Sequence, residues 1–424
     1  MKKINLGIFG AGTVGGGVVK ILQQKKEFFE SNGIDFCIKK ICVRDANKKR
    51  DFVLPKNTVI TTDPEEILAD EEIDIFVELI GGVGLAKKIV FSALEKNKHV
   101  VTANKALIAE NFLEIEKILE ENPDAKFNFE ASVAGGIPII NTLKTHFSID
   151  KVFRISAILN GTTNFILSKM EKEKADYAST LKEAQDLGYA EADPTADTEG
   201  LDARAKIIIL TKLLWGIFVP ENNIFTQGIS SVSSVDFQYA KMLEGTIKLL
   251  AISEKIDDKY SVFVTPALVP FSNSISQISG ATNVIEIESE FLQKSFLVGP
   301  GAGRFPTANS IVADIFDIAK NPENTNNFLQ TQIASSIIQK DFQKNFYIRI
   351  NIKDGLGIIK KVGEICEKNQ VSIDSVLQLP IKNTQNLPFV ITTDQAKLSQ
   401  IKNIVDDIEK EDFCLKRPFF IPIL

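Results

Sequence analysis

The sequence INLGIFGAGTVG, residues 4–15, is the clearest structural signal in the first part of the chain. Its apolar first half predicts a buried strand, and residues 18–22 continue with helical character. Between these two elements, Gly10, Gly12 and Gly15 have the spacing of a dinucleotide-binding turn, in which the first glycine permits the turn and the second lets a pyrophosphate approach the backbone. The order of strand, glycine turn and helix predicts a nucleotide-binding loop; a glycine turn without a ligand is the alternative.

Apolar strands and helices continue to alternate after this loop. The predicted elements are strands at 36–43, 73–80 and 99–102 and a helix at 87–96. Because alternating strands and helices form parallel sheets that are covered on both faces, we expect an α/β protein with a Rossmann-type, doubly wound parallel sheet. The composition becomes rich in glycine and alanine near residue 130, so we place this domain at 1–130 and expect about 305–340 to complete it.

Two further domains are predicted in the remainder of the chain. An α+β domain is expected at 131–304, with strands at 152–159, 261–269 and 284–298 and helices at 173–187, 201–215 and 235–252. From about 345 to 424, strands and helices follow the order βαββα, with a closing strand near the C-terminus. A length of 424 residues is sufficient for three packed domains.

The composition excludes several classes of function. A formal net charge of −6 leaves no basic excess, so we expect no nucleic-acid partner. The most apolar stretch, 207–219, is interrupted by Lys212 and is shorter than the roughly 20 residues of a membrane-spanning helix, so we expect no membrane partner. The cysteines form no C-x-x-C pair, which predicts reduced thiols and a cytoplasmic location. Because the only histidines are His99 and His146, lysine and carboxylate chemistry becomes the expectation.

The residues after the second predicted strand bear on the choice of cofactor. An acidic residue at this position holds the ribose of NAD, whereas an arginine accommodates the 2′-phosphate of NADP. Here the sequence has Arg44, followed by Asp45, Lys48, Lys49 and Arg50. This favours NADP over NAD, with a solvated basic turn as the alternative.

Three charged residues indicate a reactive centre. Lys105 follows the strand at 99–102, at the edge where open α/β sheets bind their ligands. Asp202 and Lys206 lie one turn apart at the start of the helix at 201–215, behind a run of carboxylates. From these residues alone three alternatives stay open for the pair: a helix cap by Asp202, an exposed ion pair, and a solvated loop. A solvated surface lysine is the alternative for Lys105.

Several motifs occur in an order and spacing that are typical of one family. They are VTANKA at 101–106, FEASVAGGIP at 129–138, NGTTN at 160–164 and GYAEADP at 188–194. With the glycine loop, they make nearly the whole chain resemble the homoserine dehydrogenases, in the monofunctional form without a kinase. The resemblance implies reversible hydride transfer between NAD(P)H and aspartate β-semialdehyde, which gives homoserine on the route to threonine, methionine and isoleucine. It also implies that 131–304 is a catalytic and dimerisation domain, in a homodimer or homotetramer.

The resemblance assigns roles to individual residues. It implies that Lys206 donates a proton to the carbonyl oxygen, that Asp202 orients the substrate and this lysine, and that Lys105 contacts both nicotinamide and substrate. The residues implied in cofactor binding are Phe9, Gly10, Ala11, Gly12, Thr13, Val14, Gly15, Arg44, Lys105 and Gly301. Those implied in binding the amino-acid substrate are Gly161, Thr162, Tyr189, Glu191 and Lys206.

A monovalent-cation site is a further implication of the resemblance. It is expected to hold sodium and to consist mainly of main-chain oxygens, which map onto Glu130, Val133, Gly135 and Ile137. An irregular hinge without an ion is the alternative.

The C-terminal segment resembles an ACT domain, a βαββαβ unit that senses amino acids. The resemblance rests on IKDGLG at 352–357 and SIDSVLQ at 372–378, and it makes threonine the first candidate effector. Leu356 stands where the family's turn commonly has proline, and a purely dimerising role is the alternative.

Two other functions compete with the leading one. The first is a reductase for another amino-acid-derived carbonyl compound, against which the motif from Glu191 to Lys206 argues. The second is a non-catalytic protein that senses NADP and amino acids. The joint presence of Lys105, Asp202 and Lys206 argues against that.

Overall fold

The structure is a computed structural model that describes residues 1–321, 337–380 and 386–424. The first sheet is formed by β1 Lys2–Phe9, β2 Ile34–Cys42, β3 Val59–Thr61, β4 Ile75–Glu78, β5 His99–Thr102 and β6 Phe127–Asn128. Its six strands are parallel and have the order β3-β2-β1-β4-β5-β6. This order reverses between β1 and β4, which is where doubly wound sheets bind dinucleotides, outside the carboxyl ends of the strands. The predicted Rossmann-type sheet is confirmed.

Helices connect these strands, and one later helix returns to the sheet. The connecting helices are α1 Thr13–Gln24, α2 Lys26–Ser31, α3 Glu65–Leu68, α4 Gly84–Leu94 and α5 Lys105–Glu121. The returning helix, α12 Arg304–Lys320, packs against α1. Gly17 allows this close approach, because a Cβ at that position would lie 2.9 Å from the Cβ of Ala308.

The rest of the chain forms a second, mixed sheet of 11 strands within the described residues. They are β7 Val152–Ile158, β8 Phe225–Thr226, β9 Gly245–Ile256, β10 Lys259–Pro270, β11 Thr282–Ser289, β12 Gln293–Pro300, β13 Gln343–Ile352, β14 Ile373–Gln378, β15 Leu387–Thr393, β16 Ala396–Lys397 and β17 Cys414–Ile423. The main path has the order β12-β11-β7-β9-β10-β17-β13-β15-β14. The fold is therefore of the α/β class, with a parallel sheet followed by a mixed one.

Further helices pack on this sheet. They are α6 Ile139–Thr145, α7 Gly161–Glu173, α8 Tyr177–Asp186, α9 Thr195–Thr198, α10 Leu201–Trp215, α11 Ser234–Met242, α13 Ile358–Lys368 and α14 Leu398–Glu409, with single 3-10 turns at Glu130–Ser132, Glu221–Asn223 and Ser274–Gln277. Helix α10 is buried along most of its length and carries Asp202 and Lys206 in its first half.

Two predicted elements are wrong in part. The helix predicted at 235–252 ends at Met242, because Glu244 has a left-handed φ of 53° and strand β9 begins at Gly245. Residues 247–252 are buried on both faces of the sheet, so they show no strand-like alternation in sequence. The strand predicted at 284–298 is the hairpin of β11 and β12, whose turn exposes Phe291 and Leu292.

The C-terminal residues have the element order βαββαβ, with the additional two-residue strand β16 before the second helix, and extend the second sheet. Strand β17 pairs with β13, and it also meets β10 where Leu268 faces Ile423. A buried contact adds to this junction: Asp236 of α11 forms an ion pair with Arg349 of β13 and accepts a hydrogen bond of 2.7 Å from the hydroxyl of Tyr347. The C-terminal unit is thus joined to the preceding one by both backbone pairing and buried charge.

Candidate active site

Three glycines shape the turn between β1 and α1. Gly10 has a φ of +100°, and a Cβ there would lie 2.7 Å from the carbonyl oxygen of Leu79. A Cβ on Gly15 would lie 2.2 Å from the Gly10 carbonyl oxygen, so the helix packs directly on the turn. A Cβ on Gly12 would meet no described atom within 4 Å, which leaves the backbone open to an approaching group. The turn has the geometry that a bound pyrophosphate requires.

The first turn of α1 offers hydrogen-bond donors to an anion. Within the described residues, no side chain caps this helix, and its first turn contains no acidic residue. The unpaired N–H groups and the helix dipole favour negative charge at this end. Ala11, Thr13 and Val14 lie on the turn, at least partly accessible, whereas Phe9 is buried beneath it. A dinucleotide fits this set of residues.

The turn after β2 presents a guanidinium. Arg44 is exposed and forms no hydrogen bond or ion pair with the part of the chain that the structure describes. Arg50 instead donates to the carbonyl oxygens of Asp45, Ala46 and Lys48, at 2.8, 3.2 and 2.8 Å, and so shapes the turn. Of these two arginines, Arg44 is therefore the one available to a cofactor phosphate.

Asp202 lies between two lysines. Its Oδ1 is 2.9 Å from Nζ of Lys105, and its Oδ2 accepts a hydrogen bond of 2.7 Å from Nζ of Lys206. The side chains of Asp202 and Lys206 are only 8% and 10% exposed, whereas that of Lys105 is 41% exposed. The alternative of an exposed ion pair is therefore wrong. The alternative of a helix cap is also wrong, because Gly200 occupies the cap of α10.

The elements explain how these side chains meet. Lys105 is the first residue of α5, at the carboxyl edge of the first sheet, whereas Asp202 and Lys206 belong to α10 of the second unit. The ammonium of Lys206 also donates to the carbonyl oxygen of Leu159 at 2.7 Å. Because an ammonium has three donors, one remains for a substrate oxygen. The centre thus connects helix α5, which follows the first sheet, with helix α10 of the second unit.

The charges of the centre keep one another ionised. Burial alone would raise the pKa of Asp202, but the charges of Lys206 and Lys105 bring it well below its ordinary value. The charge of Asp202 in turn raises the pKa of Lys105, against the opposite effect of burial. Both groups are therefore charged near neutral pH.

Two residues that sequence reasoning did not single out complete the centre. Nδ2 of Asn160 donates to Asp202 at 2.9 Å and to Asp197 at 2.7 Å, and its Oδ1 caps α7 by accepting from the N–H of Thr163. Burial raises the pKa of Asp197, an effect that the Asn160 hydrogen bond opposes. Asn160 lies in the NGTTN motif and Asp197 in the acidic run, but only the tertiary contact shows that they meet.

The residues expected to bind the substrate surround this centre. Gly161 begins α7 directly after Asn160, and the hydroxyl of Thr162 donates to the carbonyl oxygen of Tyr189 at 2.7 Å. Glu191 is exposed on the following loop, and its negative charge is among those that raise the pKa of Lys105. A carboxylate near the lysines suits the ammonium of an amino-acid substrate.

Gly301 lies where two loops pack closely. A Cβ on Gly301 would lie 2.0 Å from Nδ2 of Asn283, and its carbonyl oxygen lies 2.6 Å from the Cβ position of Gly135. Helix α12 begins three residues later with Arg304, whose guanidinium lies against Gly16 of the nucleotide-binding helix. In this structure, Gly301 serves close backbone packing beside the cofactor-binding unit.

The segment expected to hold a cation is a tight, buried turn. Ala134 and Gly135 both have a left-handed φ, of 54° and 51°. The Gly135 carbonyl oxygen accepts from the hydroxyl of Ser310 and that of Ile137 from the N–H of Ile139, both at 2.8 Å. Because a carbonyl oxygen has two lone pairs, each retains one for an ion.

The carboxylate of Glu130 is already engaged. It caps α6 by accepting from the N–H groups of Ile140 and Asn141, at 2.8 and 2.7 Å. Its main-chain oxygen accepts from the N–H of Val133 at 3.5 Å. Across the ranges that the structure describes, no group of three or more His, Cys, Asp and Glu side chains could hold a metal ion.

Known proteins resemble this chain in both sequence and structure. The family model "Homoserine dehydrogenase, NAD binding domain" matches residues 10–129, and "Homoserine dehydrogenase" matches 138–316. A homoserine dehydrogenase of Bacillus subtilis is 40% identical over 418 residues, 96% of either chain. A crystal structure of the Thiobacillus denitrificans enzyme has a TM-score of 0.91 at 33% identity, covering 100% of this chain and 99% of that one. A hyperthermophilic archaeal homoserine dehydrogenase in complex with NADPH has a TM-score of 0.62 at 27% identity, covering 75% and 98%.

The fold and its likenesses define an NAD(P)-dependent oxidoreductase that acts on a CH–OH group. Relatives that match nearly the whole chain identify one family within this class of oxidoreductases. The chain belongs to the homoserine dehydrogenase family. Among the described helices, none combines the length and apolarity needed to cross a bilayer.

Proposed function

We propose that the chain reversibly reduces L-aspartate 4-semialdehyde to L-homoserine, on the route to threonine, methionine and isoleucine. The observation that carries the proposal is the buried Asp202 between Lys206 and Lys105, facing the carboxyl edge of a dinucleotide-binding sheet. When bound, a nicotinamide cofactor supplies the hydride or accepts it. The protein's own residues bind, orient and protonate the substrate.

Lys206 is the proton donor in this proposal. As hydride reaches the aldehyde carbon, the carbonyl oxygen gains negative charge and must take up a proton. The ammonium of Lys206 has one donor free, and Asp202 and the Leu159 carbonyl oxygen fix the direction of the other two. Because this lysine is largely buried, its charge stabilises the developing alkoxide more strongly than it would in water.

The remaining residues bind the cofactor and the charged groups of the substrate. Lys105 pairs with Asp202 and is partly exposed, so it lies between the buried centre and the cleft. Glu191 and Asp197 provide negative charge for the substrate ammonium, and the N-terminus of α7 at Gly161 and Thr162 provides donors for its carboxylate.

The cofactor in this proposal is NADP, with NAD as the alternative. The support is Arg44, an exposed and unpaired guanidinium in the described structure, at the position that accommodates a 2′-phosphate. The archaeal relative was solved with NADPH.

A direct assay tests the proposal. The purified chain is incubated with homoserine and with NADP or NAD, and reduced nicotinamide is followed by absorbance. We expect turnover with homoserine and little with a panel of other hydroxy amino acids. Turnover of another hydroxy amino acid alone would favour the competing reductase, and cofactor binding without any turnover would favour the sensor protein.

We also propose that sodium binds the main-chain oxygens of Glu130, Val133, Gly135 and Ile137. The donor set of main-chain oxygens suits a hard monovalent ion, and Ala134 and Gly135, which lie within this segment, have left-handed φ values. Assaying the chain in sodium chloride and in choline chloride at equal ionic strength tests this. Equal activity in both salts contradicts a functional sodium site.

The C-terminal unit is proposed to be an ACT domain that binds an amino acid, with threonine as the first candidate. A cavity of about 400 Å³ lies at its first strand–helix turn and is lined by Asp354, Lys361 and Asp412, among others. Acidic and basic side chains together suit a zwitterion. Threonine should inhibit the wild-type chain and inhibit a Lys361→Ala variant less. Insensitivity of the wild type would point to Leu356, which replaces the expected proline and is fully exposed.

Assembly and compartment complete the proposal. The edge strand β12 exposes Phe296 and Val298, and such an edge favours pairing with a second copy in a homodimer or homotetramer. Light scattering would reveal a monomer if this is wrong. The four cysteines are free, which fits a cytoplasmic enzyme.

A further inference from the structure

Glu78 is a buried carboxylate at the carboxyl end of β4, with no exposed surface. No cation pairs with it in the described ranges. Its Oε1 accepts from the N–H groups of Ile80 and Gly81, at 2.9 and 3.2 Å, and its Oε2 accepts from the hydroxyl of Thr102 at 2.6 Å. Burying a carboxylate without a cation is unfavourable unless hydrogen bonds compensate. A buried carboxylate at the ligand-binding edge of the sheet indicates a function in addition to packing.

The hydrogen bonds of Glu78 continue to the start of α5. Oγ1 of Thr102 accepts from the N–H of Asn104 at 3.0 Å. Asn104 caps α5, since its Oδ1 accepts from the N–H of Leu107 at 3.1 Å. The next residue is Lys105, so the chain of contacts from Glu78 fixes the backbone that carries this lysine.

The same network holds the loop after β4. Nδ2 of Asn104 donates to the carbonyl oxygen of Gly82 at 2.6 Å, while Glu78 binds the N–H of Gly81. Gly81 and Gly82 have φ values of 70° and 71°, and Cβ atoms there would meet no described atom within 4 Å. The loop is therefore open on one side, and its neighbour Leu79 lies against Gly10 of the nucleotide turn.

We propose that Glu78 is a positioning residue that fixes Lys105 relative to the cofactor-facing loops. This inference rests on the proposed function, because it acts through a lysine of that site. The carboxylate accepts all three hydrogen bonds, so a single side chain connects the loop after β4 with the start of α5. Glu78 touches neither reacting group; its effect on turnover passes through Lys105.

The variant Glu78→Gln preserves size but replaces one accepting oxygen with a donor. Because hydrogen bonds to a charged group are the strong ones, we expect kcat/KM for homoserine to fall about tenfold to a hundredfold, with a rise in KM for the cofactor. Glu95→Gln, an exposed glutamate at the end of α4, is the matched control and should behave as the wild type.

A second pair of variants covers the case in which Glu78→Gln does not fold. Thr102→Val removes the hydroxyl at nearly constant volume, whereas Thr102→Ser keeps it. We expect the valine variant to show the same loss in kcat/KM and the serine variant to retain most of the activity. Equal activity of the two would overturn the inference.

A double-mutant cycle separates positioning from general stability. If Glu78 acts through Lys105, Glu78→Gln should lower kcat/KM by less than about twofold in a Lys105→Ala background, because the effects of coupled residues are not additive. The same fold-loss in both backgrounds, or a lower Tm with unchanged kinetics, would overturn the proposed role. A wild type that oxidises no homoserine would overturn the proposed function itself, whereas an active wild type with a fully active Glu78→Gln variant overturns this inference alone.

Discussion

The nucleotide turn and the lysine centre both lie at the carboxyl edge of the first sheet but differ in composition. The turn consists of backbone, with an open surface at Gly12 and close packing at Gly15. The centre consists of charged side chains, of which Asp202 and Lys206 are largely buried. Close backbone packing, as at Gly15, leaves no room for an added atom. A buried charge centre is instead sensitive to the loss of a charge. Substitutions in the two regions should therefore fail in different ways.

Loss of Lys206 should reduce activity most. Lys206→Ala should lower kcat by about a hundredfold to ten-thousandfold, the usual contribution of a general acid, and leave cofactor affinity nearly unchanged. Lys182→Ala, an exposed lysine with its own i,i+4 carboxylate partner, is the matched control and should keep full activity. Steady-state kinetics and cofactor titration measure both quantities. Near wild-type kcat in a folded Lys206→Ala variant would remove this lysine from the mechanism.

Lys105→Ala should combine both kinds of failure. It should weaken substrate or cofactor binding as well as turnover, because this lysine pairs with the buried Asp202 and is itself partly exposed. It should also raise the pKa of Asp202, since one of the two cations that lower it is lost. The acid limb of the kcat/KM profile should then move to higher pH. An unchanged acid limb would show that Lys105 does not hold Asp202 ionised.

The glycines of the turn give a sharper contrast. Gly15→Ala should lower stability by about 1–3 kcal/mol, because the new methyl group would overlap the Gly10 carbonyl oxygen. Gly12→Ala should keep the wild-type Tm, since its methyl group meets open space, but should weaken cofactor binding about tenfold by blocking the approach to the backbone. Thermal unfolding and cofactor titration separate these outcomes. A loss of Tm in Gly12→Ala would contradict the open surface.

A change on the exposed turn after β2 distinguishes the two cofactors. Arg44→Ala should weaken NADP by roughly tenfold or more and NAD much less, because only NADP has the 2′-phosphate. Lys49→Ala, on the same exposed turn, is the control. Equal losses for NADP and NAD would assign Arg44 to the solvated turn.

The sequence predicts best where the signal is local. The helix at 201–215 is predicted with the bounds of α10, because Gly200 and Gly216 punctuate it at both ends. The helix predicted at 235–252 is half wrong, since leucine and alanine at a buried strand position look the same as in a helix. Local motifs likewise predict the nucleotide turn.

Contacts between residues that are distant in sequence limit how much of the site can be predicted from the sequence. Asp202 and Lys206 are four residues apart, so their pairing can be predicted from helix geometry. Asn160 and Asp202 are 42 residues apart in sequence, and neither motif predicts the hydrogen bond between them. Glu78 has no motif at all, because a glutamate at the end of an apolar strand is indistinguishable from a solvated one until the fold buries it.

The pairing of β17 with β10 also bears on how the enzyme unfolds. Tyr347, Val390 and Phe419 of the C-terminal unit belong to the same apolar core as the catalytic unit, and the buried Asp236–Arg349 pair lies between them. Two units that share a core and a sheet lose their stability together. We therefore expect helix α10, which carries Asp202 and Lys206, to unfold together with the C-terminal unit. Any ligand that binds only the folded C-terminal unit would therefore raise the Tm of the whole enzyme by mass action, independently of its effect on the rate.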